Sequence, residues 1–120
     1  MNNLYDVNNI FAKILRFEIP CNKISENKFA LAFSDINPQA PIHTLVIPKN
    51  PYINFHDFTK NASTKERESF WILVNDVIEH YGGEEEGFRI ITNSGNNGNQ
   101  DVPHFHVHLL AGKNLGKMIN

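Results

Sequence analysis

The chain is poor in the features that mark secreted, membrane-spanning or nucleic-acid-binding proteins. Its 120 residues include a single cysteine, Cys21, so an intrachain disulfide is excluded, which fits a reducing compartment. No uninterrupted apolar stretch approaches the ~18 residues of a membrane-spanning helix. The start, Met1-Asn2-Asn3-Leu4-Tyr5-Asp6, has neither the basic residues nor the apolar run of a signal peptide. A cytoplasmic location is therefore expected, with no membrane partner. A large excess of either charge is also missing. Lys and Arg number 11 against 13 Asp and Glu, for a formal net charge of −2. No basic run exceeds two residues, so the electrostatic footprint of a nucleic-acid binder is absent. A bound phosphate would have to be held by local geometry rather than by bulk charge.

What is present reads as one globular domain spanning residues 1–120, with 41% hydrophobic and 20% charged residues. Asp6 to Arg16 predicts a short helix capped by Asn8 or Asn9, with Ile10, Phe11, Ile14 and Leu15 on one stripe and Pro20 beyond its end. Lys23–Glu26 and Lys28–Ser34 predict strands joined at Asn27, and the latter alternates Phe29, Leu31 and Phe33 with alanines. A Pro- and Asx-rich loop precedes a β-branched strand over Ile42–Ile47. A helical turn is expected within Asn54–Lys60. The main helix is expected from Ser63 to about Tyr81, opened by the capping box Ser63-x-x-Glu66 and closed by Gly82-Gly83. Glu84-Glu85-Glu86 reads as a solvated turn. Phe88–Thr92 and His104–Leu110 predict the last strands, separated by a Gly/Asn-rich loop. This order suggests an α+β domain with helices against an antiparallel sheet.

Three of the six histidines occupy one short run, His104-Phe105-His106-Val107-His108. On a strand, alternate side chains share a face, so the imidazoles would line one side while Phe105, Val107 and Leu109 enter the core. Neighbouring imidazoles would start roughly 6.6–6.8 Å apart along the strand. Three on one straight strand fit a single tetrahedral ion poorly; two with a ligand from elsewhere would serve, so zinc is possible but not demanded. The preceding loop offers another chemistry. Gly95, Gly98 and several asparagines can present backbone N–H groups to phosphate oxygens. Phosphate beside a row of imidazoles points to nucleophilic phosphoryl or nucleotidyl transfer, with one histidine attacking and others orienting it and delivering a proton to the leaving group.

The run Gln100-x-Val102-x-His104-x-His106-x-His108-Leu109-Leu110 resembles the signature of the histidine triad (HIT) nucleotide-binding proteins. Ile10-Phe11-Ala12-Lys13-Ile14, Glu18-Ile19-Pro20, Phe33 through Pro41, and His43-Thr44-Leu45-Val46-Ile47-Pro48-Lys49 resemble that family's Hint branch, in the same order. The resemblance covers about residues 8–112. It implies a HIT-like α+β fold of about five antiparallel strands with one long and one short helix, the sheet extended across a homodimer. It implies binding of purine nucleoside monophosphates and hydrolysis of their phosphoramidates, with no cofactor and no metal. On the matching positions, His106 is the nucleophile, forming a nucleotidyl-histidine that water cleaves. His104 and His108 orient phosphate and nucleophile, and His43 joins their hydrogen-bond network. Asp35 holds the ribose hydroxyls, which suits a carboxylate facing a diol. Ile10, Phe11, Ile14, Phe33 and Ile36 form the base wall. Asn93, Asn99, Gln100, Asp101 and Val102 complete the substrate-binding set.

Position 101 is an aspartate where many Hint proteins have a serine that contacts phosphate, so Asp101 is expected to turn away or cap locally. Asn8 and Ala12 stand where some relatives carry zinc-binding cysteines, and Cys21 is isolated, which argues against a structural zinc. The segment 113–120 lacks the tryptophan of some relatives. The leaving group therefore stays open: an amine, or a nucleotide as in dinucleoside polyphosphate hydrolysis. A non-catalytic nucleotide-binding module is the third alternative.

Overall fold

The computed structural model describes residues 4–119. Five strands form one antiparallel sheet in the order β1-β2-β3-β5-β4: β1 (Lys23–Glu26), β2 (Ala30–Ser34), β3 (Ile42–Pro48), β4 (Arg89–Ile91) and β5 (Val107–Ala111). Four helices accompany it among the described residues: α1 (Ile10–Leu15), α2 (Phe55–Asn61), α3 (Thr64–His80) and α4 (Gly83–Glu86). The expected long helix is α3. The expected short helix and the helical turn within Asn54–Lys60 are α1 and α2, the latter capped by Asn54 accepting from Asp57 N, while the acidic run 84–86, expected as a turn, winds into one helical turn after Gly82.

Alternation along the strands sorts the core into two layers. Ala30, Ala32, Val46, Val107 and Leu109 face α3, which contributes Phe70, Leu73, Val74 and Val77. Small alanines on β2 let this long helix lie close to the sheet. Leu31, Phe33, Leu45 and Ile47 face the other way and pack with Phe11 and Ile14 of α1. Asn9 caps α1 by accepting from Ala12 N at 2.9 Å. The capping box of α3 is complete: Ser63 Oγ accepts from Glu66 N, and Glu66 Oε1 accepts from Ser63 N.

The histidine segment differs from the expected strand at its start. The ladder begins at Val107, not His104. Pro103 supplies no N–H, and His104 N donates to Val102 O at 2.8 Å, an i→i+2 turn around the proline. Phe105 N then donates to Tyr52 O at 2.7 Å rather than to a neighbouring strand. The alternation of faces survives because Phe105 is anchored in the core. Its ring stacks on Phe58 at 4.9 Å and lies 5.1 Å from Phe70. Burying such a ring is worth roughly 1.5–3 kcal/mol. With Phe105 seated on the α3 side, His104 and His106 are held on the α1 side.

Candidate active site

Register brings the histidines of two strands together. In the β3–β5 pair, Leu45 lies opposite His108 and His43 opposite Leu110. His43 and His108 are therefore diagonal neighbours on one face, within reach of each other's rings. His43 Nε2 and His108 Nδ1 are 2.9 Å apart.

Hydrogen-bond partners assign the neutral tautomers. The Gln39 N–H donates to His43 Nδ1 at 3.0 Å, so the His43 proton sits on Nε2 and is donated to His108 Nδ1. That leaves His108 with an N–H at Nε2 for the pocket. The Asp35 carboxylate lies 3.4 Å from His43 Nε2 and accepts from Asn37 N at 2.8 Å. His106 Nδ1–H donates to the His104 carbonyl at 2.7 Å, so the lone pair of neutral His106 is on Nε2. Its ring is clamped edge-on by Phe11, centroids 5.0 Å apart.

His104 is different. It has no exposed surface. Its Nε2–H donates to the Pro48 carbonyl at 2.9 Å, and its Nδ1 accepts from the Tyr5 hydroxyl at 2.6 Å. Both ring nitrogens are used inside the protein, and the side chain does not line the pocket. Burial pushes its pKa down to about 4, with the Pro48 hydrogen bond opposing and His106 adding. His108 is likewise pushed down to about 4, by burial first and then by His106 and His43, against Asp35 and Asp101. Burial also lowers His43, and Asp35 opposes that shift. A desolvated imidazole disfavours its cationic form, so His104 and His108 are neutral at pH 7.

A cavity of about 260 Å³ gathers Ile10, Phe11, Ile14, Phe33, Asp35, Ile36, Asp101, Val102, His106 and His108. Ile36 is 92% exposed and forms its rim. Ile19, Pro20, Cys21, Ser34 and Leu45 also line it, and none of them is among the site residues expected from sequence. Leu45 was accessible in principle, since it lies between His43 and Ile47 on one strand face. Ile19–Cys21 is irregular chain brought in by the end of α1, which no periodicity reports. The cavity walls are mostly apolar with a few polar groups, as in small-molecule sites generally. A larger groove of about 570 Å³ lies on the far side of Ile19–Cys21, away from the histidines.

Asn93, Asn99 and Gln100 lie outside this cavity. Gln100 ties the loop down, donating from Nε2 to the carbonyls of Ile53 and Val102 and accepting from Gly95 N. The expected phosphate cradle of loop amides is narrowed. Gly98 N, Asn99 N and Gln100 N donate to the Ser94, Asn96 and Gly95 carbonyls, and Gly95 N donates to Gln100 Oε1, so these four N–H groups are used by the turns of the loop. Asp101 does not turn away: its Oδ1 lies 3.6 Å from His106 Nε2.

The ligand atoms of Asp35, His43 and His108 lie within 4.8 Å of one another, a donor set that suits zinc in kind. The Gln39 N–H works against it. It occupies His43 Nδ1 and keeps the proton on Nε2, the nitrogen a metal would need.

The HIT domain family matches residues 16–115. An uncharacterized 13.2 kDa HIT-like protein of Azospirillum brasilense is 50% identical over 119 residues, covering 99% of this chain and 98% of its own. The purine nucleoside phosphoramidase of Escherichia coli K12 is 36% identical over 115 residues, 92% of either chain. Among solved structures, a histidine triad protein from Clostridium difficile superposes with a TM-score of 0.81 at 39% identity, covering 93% of this chain and 96% of that one. A HIT family hydrolase from Legionella pneumophila Philadelphia 1 gives 0.82 at 36% identity, covering 89% and 95%. No helix among the described residues is long and apolar enough to cross a membrane. The chain belongs to the HIT domain family and is a HIT family hydrolase-like protein.

Proposed function

We propose that the protein hydrolyses the phosphorus–nitrogen bond of purine nucleoside phosphoramidates through a nucleotidyl-histidine intermediate on His106. The observation that carries this reading is the fixed tautomer of His106. With Nδ1–H on a backbone carbonyl, the Nε2 lone pair of a buried ring is available without a separate general base.

In the first half-reaction, Nε2 attacks phosphorus and the P–N bond breaks. The bonding pair leaves with the amine nitrogen, which takes a proton from solvent. The intermediate is a phosphoryl imidazolium, its positive charge supported by the His104 carbonyl at Nδ1. In the second, water attacks phosphorus, the pair of the P–Nε2 bond returns to His106, and the proton of the water goes back to solvent. His108 is neutral at pH 7, so it serves as a hydrogen-bond donor to a phosphoryl oxygen rather than as an acid. His43 holds that donor in place. Asp35 accepts from the ribose hydroxyls, and the base rests among Ile10, Phe11, Ile14, Phe33 and Ile36. His104 acts by positioning: its backbone carbonyl fixes His106.

The name of the Escherichia coli relative supports the P–N bond as the target. The protein is further read as cytoplasmic and as a homodimer, joined along the edge strand β4, where Phe88 and Ile90 are exposed beside Arg89. Light scattering after gel filtration tests the dimer. To test the activity, adenosine 5′-phosphoramidate and diadenosine polyphosphates are supplied separately and AMP release is followed. The proposal expects faster turnover of the phosphoramidate. Faster turnover of a polyphosphate would transfer the assignment to that reaction, and no turnover of either would leave a binding module.

A further inference from the structure

We infer that Asp101 is a charge filter beside the nucleophile, disfavouring a dianionic nucleoside monophosphate relative to a monoanionic phosphoramidate. The inference rests on the proposed hydrolase reading and extends it to how product leaves. Two observations carry it. The Asp101 carboxylate stands 3.6 Å from His106 Nε2 and is 76% exposed, at the mouth of the cavity. Among the described residues, no lysine or arginine lines that cavity, so a phosphate there meets a carboxylate without a lining cation to offset it. The substrate phosphorus carries one negative charge. The product monophosphate carries two above its second pKa of about 6. The hydrolytic step therefore adds a second unit of the charge that Asp101 repels, and the product is disfavoured more than the substrate.

The magnitude follows from distance. Phosphorus poised for attack lies about 3–3.5 Å from Nε2, which places it no more than about 7 Å from Asp101 Oδ1. At a water-like dielectric, appropriate to an exposed carboxylate, that separation corresponds to about a threefold change in affinity per unit charge. Removing the carboxylate charge should then leave a neutral ligand unchanged, strengthen a monoanion about threefold and strengthen a dianion about ninefold.

The test is calorimetric titration of the full chain and its Asp101→Asn variant at pH 8 with adenosine, adenosine 5′-methylphosphonate and AMP. The gain in affinity should rise with each ligand charge and collapse toward one in 1 M salt, where the screening length falls to about 3 Å. Equal gains for methylphosphonate and AMP, or no gain for either, overturn the filter. If both adenylates bind and the gains are flat, only the role of Asp101 falls. If neither protein binds an adenylate, the nucleotide reading falls and the filter with it. In turnover, the variant should show AMP inhibition strengthened about threefold relative to the change in KM, whereas a merely structural role would move both alike.

Discussion

Replacing His104 with alanine separates a structural histidine from a catalytic one. His104 is completely buried, bonded to Pro48 O at 2.9 Å and to the Tyr5 hydroxyl at 2.6 Å. The substitution removes two hydrogen bonds, each worth about 0.5–1.5 kcal/mol net, and strands the buried Pro48 carbonyl at about 1–3 kcal/mol. Partial relaxation of the cavity left by the ring adds to this. The expected loss is about 3–5 kcal/mol, out of the roughly 5–15 kcal/mol that a domain possesses. For a chain of this size it corresponds to a fall in Tm of roughly 10–25 °C. Catalysis should fare better. The group that holds His106 is the backbone carbonyl of residue 104, and the substitution keeps it. Turnover per folded molecule, assayed at low temperature where the variant stays folded, should fall less than about tenfold. Urea denaturation supplies the stability and a phosphoramidate assay the rate. A variant of near-normal stability whose folded fraction has lost activity a thousandfold would refute the reasoning and make the His104 ring a direct participant.

His106→Ala is expected to abolish hydrolysis while largely retaining AMP binding, which titration calorimetry checks. His43→Ala removes the donor that orients His108, and one hydrogen bond of about 0.5–1.5 kcal/mol predicts kcat lower by about two- to thirteenfold. A drop confined to KM would contradict a role in the transition state. Stability should fall in acid. His104 and His108 have folded pKa values of about 4 against about 6.5 in the unfolded chain. Between those values the unfolded state binds more protons, so the stability they contribute is full above about pH 6.5 and is lost as pH drops toward 4. His104 alone accounts for about 3 kcal/mol, and the partly exposed His108 for less; equal urea midpoints at pH 7 and pH 4.5 would contradict the shifts. Activity should survive exhaustive chelation, since no step needs a metal. Loss on chelation with rescue by zinc would reassign Asp35, His43 and His108 as ligands.

Local rules carried much of this fold. The Asn9 cap, the Ser63/Glu66 capping box and the two faces of β2 and β3 are each legible in a few consecutive residues. The sharing of faces by His104, His106 and His108 was legible too, though its cause is the anchoring of Phe105 between Phe58 and Phe70 rather than a continuous strand. What escaped depends on contacts across the chain. Nothing near His104 in sequence announces Tyr5 or Pro48, so its burial was invisible. The turn partners of the Gly95, Gly98, Asn99 and Gln100 amides become definite only once the loop is closed by Gln100. Charge alone predicts that Asp101 avoids the phosphate site, yet its Oδ1 lies 3.6 Å from His106 Nε2.

The central claim is that His106 carries the nucleotidyl group. Wild-type protein mixed with adenosine 5′-phosphoramidate, quenched in base within milliseconds and digested, should yield a peptide bearing an adenylyl group localised by fragmentation to His106. The same peptide from His106→Ala should be unmodified, and that protein should not turn over. An adenylyl group on a different residue, or continued turnover by His106→Ala, would contradict the account.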